Sequence, residues 1–215
     1  TVLNFESVIT GSGNDVITGD DNNNTLSSGY GEDRIYGRAG RDVLHGGQDN
    51  DRLFGGVDND VLTGFSGDDI INGGAGRDRA IFDHSVIGWR VDLRNGTAWL
   101  NSLEEDTLYN IEDVTTGSND DRIWGNDADN SLLGRAGDDT IFGGDGDDRI
   151  IGGGGDDWVE GGQGDDTLSG YGGDDTITGN GGVDAMYGGG GTDKVSYTYS
   201  SGNWSINLAT QSANL

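Results

Sequence analysis

Apolar residues recur along this chain with a period of nine. From Thr10 to Ile81 the sequence divides without a gap into eight units of the form Gly-Gly-x-Gly-x-Asp-x-apolar-x. Their eighth places hold Ile17, Leu26, Ile35, Leu44, Leu53, Leu62, Ile71 and Ala80. The same phase resumes at Thr116 and runs nine units to Ser196, with Ile123, Leu132, Ile141, Ile150, Val159, Leu168, Ile177, Met186 and Val195. All 17 eighth places are apolar and 15 of the 17 sixth places are Asp, Asn24 and Asn130 being the others.

Side chains of a strand alternate between its faces, so within places seven to nine only the eighth points inward. Three-residue strands are therefore predicted, with the Gly-rich places one to six as turn, since Gly accepts positive φ and close backbone approach. Two units make one flattened coil, and coils stack at the strand spacing of about 4.8 Å. The reading is an all-β chain, a parallel right-handed β-roll solenoid with a thin aliphatic seam.

The interruption between the blocks is itself repeated. Asp78–Ser85 answers to Asp193–Ser200 and Trp89–Leu93 to Trp204–Leu208, while Leu3–Val8 answers to Tyr109–Val114. This divides the chain into residues 1–9, the end of a preceding spacer; 10–81, a first roll of eight nonapeptides; 82–115, a spacer; 116–196, a second roll of nine; and 197–215, a second spacer cut short. With no initiating Met and a stop at Leu215 inside that spacer, the sequence reads as a piece of something longer. Within the first spacer Trp89-Arg90-Val91-Asp92-Leu93 alternates, Asn95-Gly96 is a two-residue hairpin turn and Thr97–Leu100 returns. Solenoid ends expose seam and strand edges. A hairpin with Trp89, Val91 and Leu93 on one face is expected to cap the first roll, and Leu108, Ile111 and Val114 to lead into the second.

Composition sharpens this picture. The 43 Gly, absence of Pro and Cys, and 31% hydrophobic content exclude an ordinary packed core, disulfides and Cys-ligated metals. A net charge of -27 argues against nucleic-acid partners and anionic membranes. No apolar run approaches the roughly 20 residues of a membrane helix. No catalytic signature of a zinc protease, serine hydrolase, phosphate-binding loop or dinucleotide fold occurs, so the chain is not expected to be an enzyme. The many Asp pairs, such as Asp138-Asp139 and Asp165-Asp166, are places five and six of the repeat rather than a catalytic dyad.

One Leu or Ile per nine residues buries too little apolar surface to offset the entropy of ordering nine. The stacked sixth-place carboxylates also repel one another, so a cation is required between them. Calcium takes six to eight oxygen ligands from carboxylates and carbonyls, whereas magnesium demands a stricter octahedron and softer metals want His or Cys. His45 and His84, the only imidazoles, are not close in sequence.

The unit resembles the nonapeptide of the RTX (repeat-in-toxin) family, the calcium-binding parallel β-roll repeat, over 153 of 215 residues. The resemblance implies an ion between turns two units apart. One lies between Gly40 with Asp42 and Gly55 with Asp60, and another between Gly137 with Asp139 and Gly152 with Asp157. Its implied ligands are Asp15, Asp33, Asp42, Asp51, Asp60, Asp69 and Asp78 in the first block. In the second they are Asp121, Asp139, Asp148, Asp157, Asp166, Asp175, Asp184 and Asp193. Carbonyls at Gly40, Gly55, Gly137, Gly146, Gly152, Gly155, Gly164 and Gly173 complete the set. Six pairs in one block and seven in the other give 13 places for an ion. Asn24 and Asn130 depart from the pattern, as do Asn22, Asp49, Asp58 and Ala128 at fourth places. The resemblance further implies a secreted bacterial protein, exported by type I secretion and folding as it meets calcium outside the cell. Monomeric, it would act alone or as a polysaccharide- or surface-binding module touching ligand through Arg34, Arg52 or Trp99. A third reading is an accessory roll of a secreted protease, lipase or alginate epimerase. Arg34 and Arg52 should stand one above the other at seventh places, with Arg38 and Arg41 in a turn. The ninth-place aromatics Tyr36, Phe54, Trp124, Phe142 and Tyr187 should pack along the outer face.

Overall fold

The computed structural model describes residues 5–100 and 104–197. Every regular element among them is a strand, 22 in all, arranged in one sheet of ten and one of twelve. Consecutive repeat strands fall in opposite sheets, so each pairs in parallel with the strand two units further on. Leu26 stands beside Leu44 and Leu44 beside Leu62 in one sheet, and Ile35 beside Leu53 in the other. The β-roll predicted from the period is present, with no helix able to cross a membrane among the described residues. The segments expected to repeat the first spacer, Ser200 and Trp204–Leu208, and the residues Leu3 and Asn4, lie outside the described residues.

Val16–Thr18 and Arg122–Trp124 keep the predicted three residues, but most repeat strands are twice as long as places seven to nine predict. Thr25–Tyr30, Val43–Gln48 and Thr140–Asp145 each run from a seventh place through the third place of the next unit. Two places of each run face inward, the eighth with its apolar side chain and the first, usually a bare Gly. The ladder continues around the bend, past the Ser28 side chain, where Gly29 still pairs with Gly47 and Tyr30 with Gln48. Only places four to six remain as turn. Positive φ falls at second and fourth places, and side chains other than Gly take it up there, including Arg38, Phe65, Arg135, Asp49 and Asp58. The two Asp offset that conformation by accepting N–H bonds from the coil below, Asp49 from Gly31 (3.1 Å) and Asp58 from Gly40 (3.2 Å).

Eighth-place side chains from Ile17 to Ile177 form one continuous apolar cluster with Phe82, Trp89, Val91, Leu93, Ala98, Leu100, Leu108, Ile111 and Val114 of the spacer. The two blocks are thus one stack. In the ten-stranded sheet Arg79–Phe82 pairs directly with Asp113–Thr116. In the other, three spacer strands, Glu104–Tyr109, Thr97–Leu100 and Arg90–Asp92, are laid between Ile70–Ala75 of the first block and Arg122–Trp124 of the second. The hairpin expected as a cap on the first roll is therefore paired on both sides. Its loop takes in all of 93–96 rather than the two-residue Asn95-Gly96 turn. The Asp92 carboxylate accepts bonds from the backbone N–H and side chains of both Arg94 and Asn95, and this organises the longer loop. Trp89 is 1% exposed and packs on Phe82 at a ring separation of 4.9 Å, filling the seam at the junction.

Candidate metal centre

Stacking of every second unit sets the sixth places in two columns, one along each edge of the roll. All 13 pairs anticipated from the sequence are joined in the same way. The backbone N–H of the lower residue donates to Oδ1 of the sixth-place Asp above it, from Asp15 to Asp33 (2.6 Å) up to Asp175 to Asp193 (3.1 Å). One carboxylate oxygen is thereby satisfied. The other, Oδ2, is buried without a partner in Asp33, Asp42, Asp51, Asp60, Asp69, Asp78, Asp139, Asp148, Asp157, Asp166 and Asp175. A buried carboxylate oxygen lacking a donor carries its full desolvation cost.

What these oxygens face is a small cradle. At Gly37, a first place, a Cβ would collide with both Asp42 Oδ2 and the carbonyl oxygen of Gly55 in the coil above. The missing side chain leaves room where a carboxylate oxygen and a carbonyl oxygen converge. Only oxygen donors are offered, the set a hard divalent cation prefers. Among the described residues no group of three His, Asp or Glu side chains is placed to hold a metal ion, so backbone oxygens must supplement the carboxylates at a cradle. Burial, with neighbouring carboxylates adding to it, pushes Asp51, Asp60, Asp69, Asp148 and Asp157 up to about 7, Asp78 and Asp166 to about 6 and Asp139 to about 8. Asp42, Asp121, Asp175 and Asp184 are raised by the same burial.

The 13 pairs are not equivalent. Eight combine a bare first-place Gly with a free Oδ2 on the lower Asp, those rising from Asp42, Asp51, Asp60, Asp139, Asp148, Asp157, Asp166 and Asp175. Three others carry a hydroxyl at the first place, which donates to the carbonyl of the coil above. Thr10 bonds Ser28 (2.9 Å), Ser28 bonds Gly46 (2.7 Å) and Thr116 bonds Gly134 (3.1 Å), occupying the cradles over Asp15, Asp33 and Asp121. The last two begin at Asn24 and Asn130. Their amide oxygens accept the N–H of Asp20 and Asn126 (both 2.8 Å), and the Asn130 amide nitrogen donates to the Glu112 carbonyl (2.8 Å). In both turns a neutral amide oxygen accepts an N–H of its own turn, where eleven of the repeat Asp keep Oδ2 without a donor. The first-place hydroxyls were legible as departures from Gly, but the carbonyls they bond belong to the next coil.

Gly55 and Gly152 line cradles from inside. Gly40, Gly137, Gly146, Gly155, Gly164 and Gly173 instead sit at fourth places with positive φ on the half-exposed rim of the turn, their bare faces against backbone of the coil below. Asp184 and Asp193 form the last described coil, and their Oδ1 atoms receive the N–H of Asp166 and Asp175. His45 and His84 are brought together by the fold after all, each against Phe65 at ring separations of 5.6 and 5.3 Å. They lie outside both columns.

A family model described as the RTX calcium-binding nonapeptide repeat matches residues 9–44, 45–80, 111–141, 124–159, 133–168 and 160–195. The chain belongs to the RTX family. The matched segments take in the two nonapeptide runs, whose sixth places form the columns of stacked carboxylates, and the family description names the RTX repeat itself as calcium-binding. Residues 81–110, most of the spacer, lie between matches. No curated protein matches the chain.

Proposed function

We propose that the chain is a calcium-responsive β-roll of a secreted bacterial protein, unfolded where calcium is scarce and folding as it binds calcium outside the cell. The carrying observation is the row of buried, donorless Oδ2 atoms, all but that of Asp33 at a bare first-place glycine. A chain of net charge -27 has little reason to stack ionised carboxylates unless cations fill the space between them. Calcium would supply that charge and take up the unpaired oxygens. Extracellular calcium modules bind at around 10⁻⁴–10⁻³ M, which suits a switch between cytoplasm and exterior. The eight open cradles between repeats are assigned one ion each, and no catalytic role is assigned to the repeated Asp pairs. Circular dichroism tests the reading: a chelated chain at neutral pH should lack strand signal, gain it with calcium and not with magnesium. A strand signal indifferent to chelator overturns it.

A second reading, a polysaccharide-binding module, has its own support in an open groove on the second block. Phe142 faces Asp145, Glu160, Gln163 and Asn180 there, an aromatic ring beside amides and carboxylates suited to hydroxyl-rich ligands. Arg34 and Arg52 stack as expected and share another groove with Glu32, Asn50 and Asp68. Glycan arrays with calcium present, comparing the chain with its Phe142→Ala variant, test this; silence across the array removes it.

A further inference from the structure

Two further carboxylates meet the conditions of the open cradles without having a repeat above them. Asp69 and Asp78 are 1% and 0% exposed, each with an unpartnered Oδ2 aimed at a bare first-place glycine, Gly64 and Gly73. The next coil on both edges belongs to the spacer. On one edge Glu112 accepts the Asp78 N–H through Oε2 (2.9 Å), as a sixth-place Asp does elsewhere. A Cβ on Gly73 would collide with the Asn110 carbonyl oxygen, which takes the place held by Gly55 over Gly37. On the other edge Thr107, Leu108 and Tyr109 pair with Ile70, Ile71 and Asn72. This register puts Asp106 over Asp69, whose N–H it accepts through Oδ1 (2.9 Å). Asp106 is 1% exposed. Glu104, two residues back and so on the same face of the strand, holds another buried oxygen without a partner, Oε2.

We infer that the spacer binds two calcium ions of its own, one between Asp78 and Glu112 with the Asn110 carbonyl, and one between Asp69 and Asp106. The inference rests on the calcium reading of the repeats and extends it beyond the two blocks, to Glu112 at the margin of a matched segment and to Asp106 between matches. Its consequence is that calcium orders the spacer and fastens it to the first block, while the junction with the second block, further along the Asp69–Asp106 edge, behaves differently. Over Trp89 the column restarts without a lower carboxylate, the Trp89 N–H donating to Asp121 Oδ1 (2.6 Å). Two ions would thus end the columns of the first block before those of the second begin.

The test uses the whole chain saturated with calcium. Anomalous scattering from crystals should show density between Asp78 and Glu112 and between Asp69 and Asp106. Native mass spectrometry should count one ion fewer in Glu112→Gln, one fewer in Asp106→Asn and two fewer in the double variant. Both changes keep the oxygen that accepts the backbone N–H, and Asn24 and Asn130 show that the roll accommodates an amide at that place. A wild-type chain that loads calcium at the repeats but shows no density at the two junction positions overturns the inference alone, as does an unchanged ion count in both variants. A wild-type chain that takes up no calcium overturns the reading on which it rests.

Discussion

The residue at the first place of each nonapeptide decides what its turn can hold. Where it is Gly and the sixth place is a buried Asp, Oδ2 is left without a donor; where it is Thr or Ser, a hydroxyl stands beside it and bonds the carbonyl overhead. Adding a methyl at Gly143 would set it against Asp148 Oδ2 and the Gly161 carbonyl. Gly143→Ala should therefore lose one calcium ion and about 1–3 kcal/mol of stability in calcium, read by ion counting and urea denaturation. The converse change, Ser28→Gly, frees the Gly46 carbonyl while Asp33 Oδ2 is already without a partner. It should gain one ion, and an unchanged count would show that the hydroxyl does not decide occupancy. Neither outcome could be read from Ser28 by itself, because the atom it bonds belongs to another coil.

Most repeat strands run to six residues, whether the first place is a bare Gly or Ser28. Hydrogen bonding there runs on to the third place of the next unit, so six residues rather than three join the ladder, Val16–Thr18 and Arg122–Trp124 excepted. Each strand nevertheless contributes a single apolar anchor to the seam. Ile150, 1% exposed and flanked by Leu132 and Leu168 in register, has no second anchor to share its load. Ile150→Ala should cost about 2–5 kcal/mol in calcium-saturated unfolding, and a loss below about 1 kcal/mol would mean the seam matters less than the ions. Two of the three spacer strands were legible as alternating segments with a turn, down to the burial of Trp89, Val91 and Leu93, whereas Glu104–Tyr109 was not. Their pairing was not, since Arg90–Asp92 meets Arg122–Trp124, which the chain reaches only after two more spacer strands and one strand of the opposite sheet.

Across the whole molecule, the stacked carboxylates couple folding to pH as well as to calcium. Burial raises the folded-state values of Asp51, Asp60, Asp69, Asp148 and Asp157 to about 7 from an ordinary 3.8. Between those two values the folded chain holds more protons than the unfolded one, so metal-free stability falls as pH rises through that window. The chelated roll should be most stable below about pH 4 and lose that stability by about pH 7. With calcium, protons compete for the same oxygens, and apparent affinity should weaken as pH drops below about 7. Circular dichroism across pH with chelator, and calcium titrations at pH 5.5 and 7.5, check both signs; a chelated chain that gains strand as pH rises contradicts the first.

Composition and period alone determined the coil, its seam and its two columns of Asp, because a nine-residue repeat with one apolar and one acidic place stacks in only one register. They located every repeat carboxylate now found paired. Which cradles stand open, how Asn24 and Asn130 close theirs, and that Asp106 and Glu112 extend the columns were decided by tertiary structure. Each depends on an atom in the neighbouring coil, and for Asp69 and Asp106 the chain passes through 37 residues before that neighbour arrives.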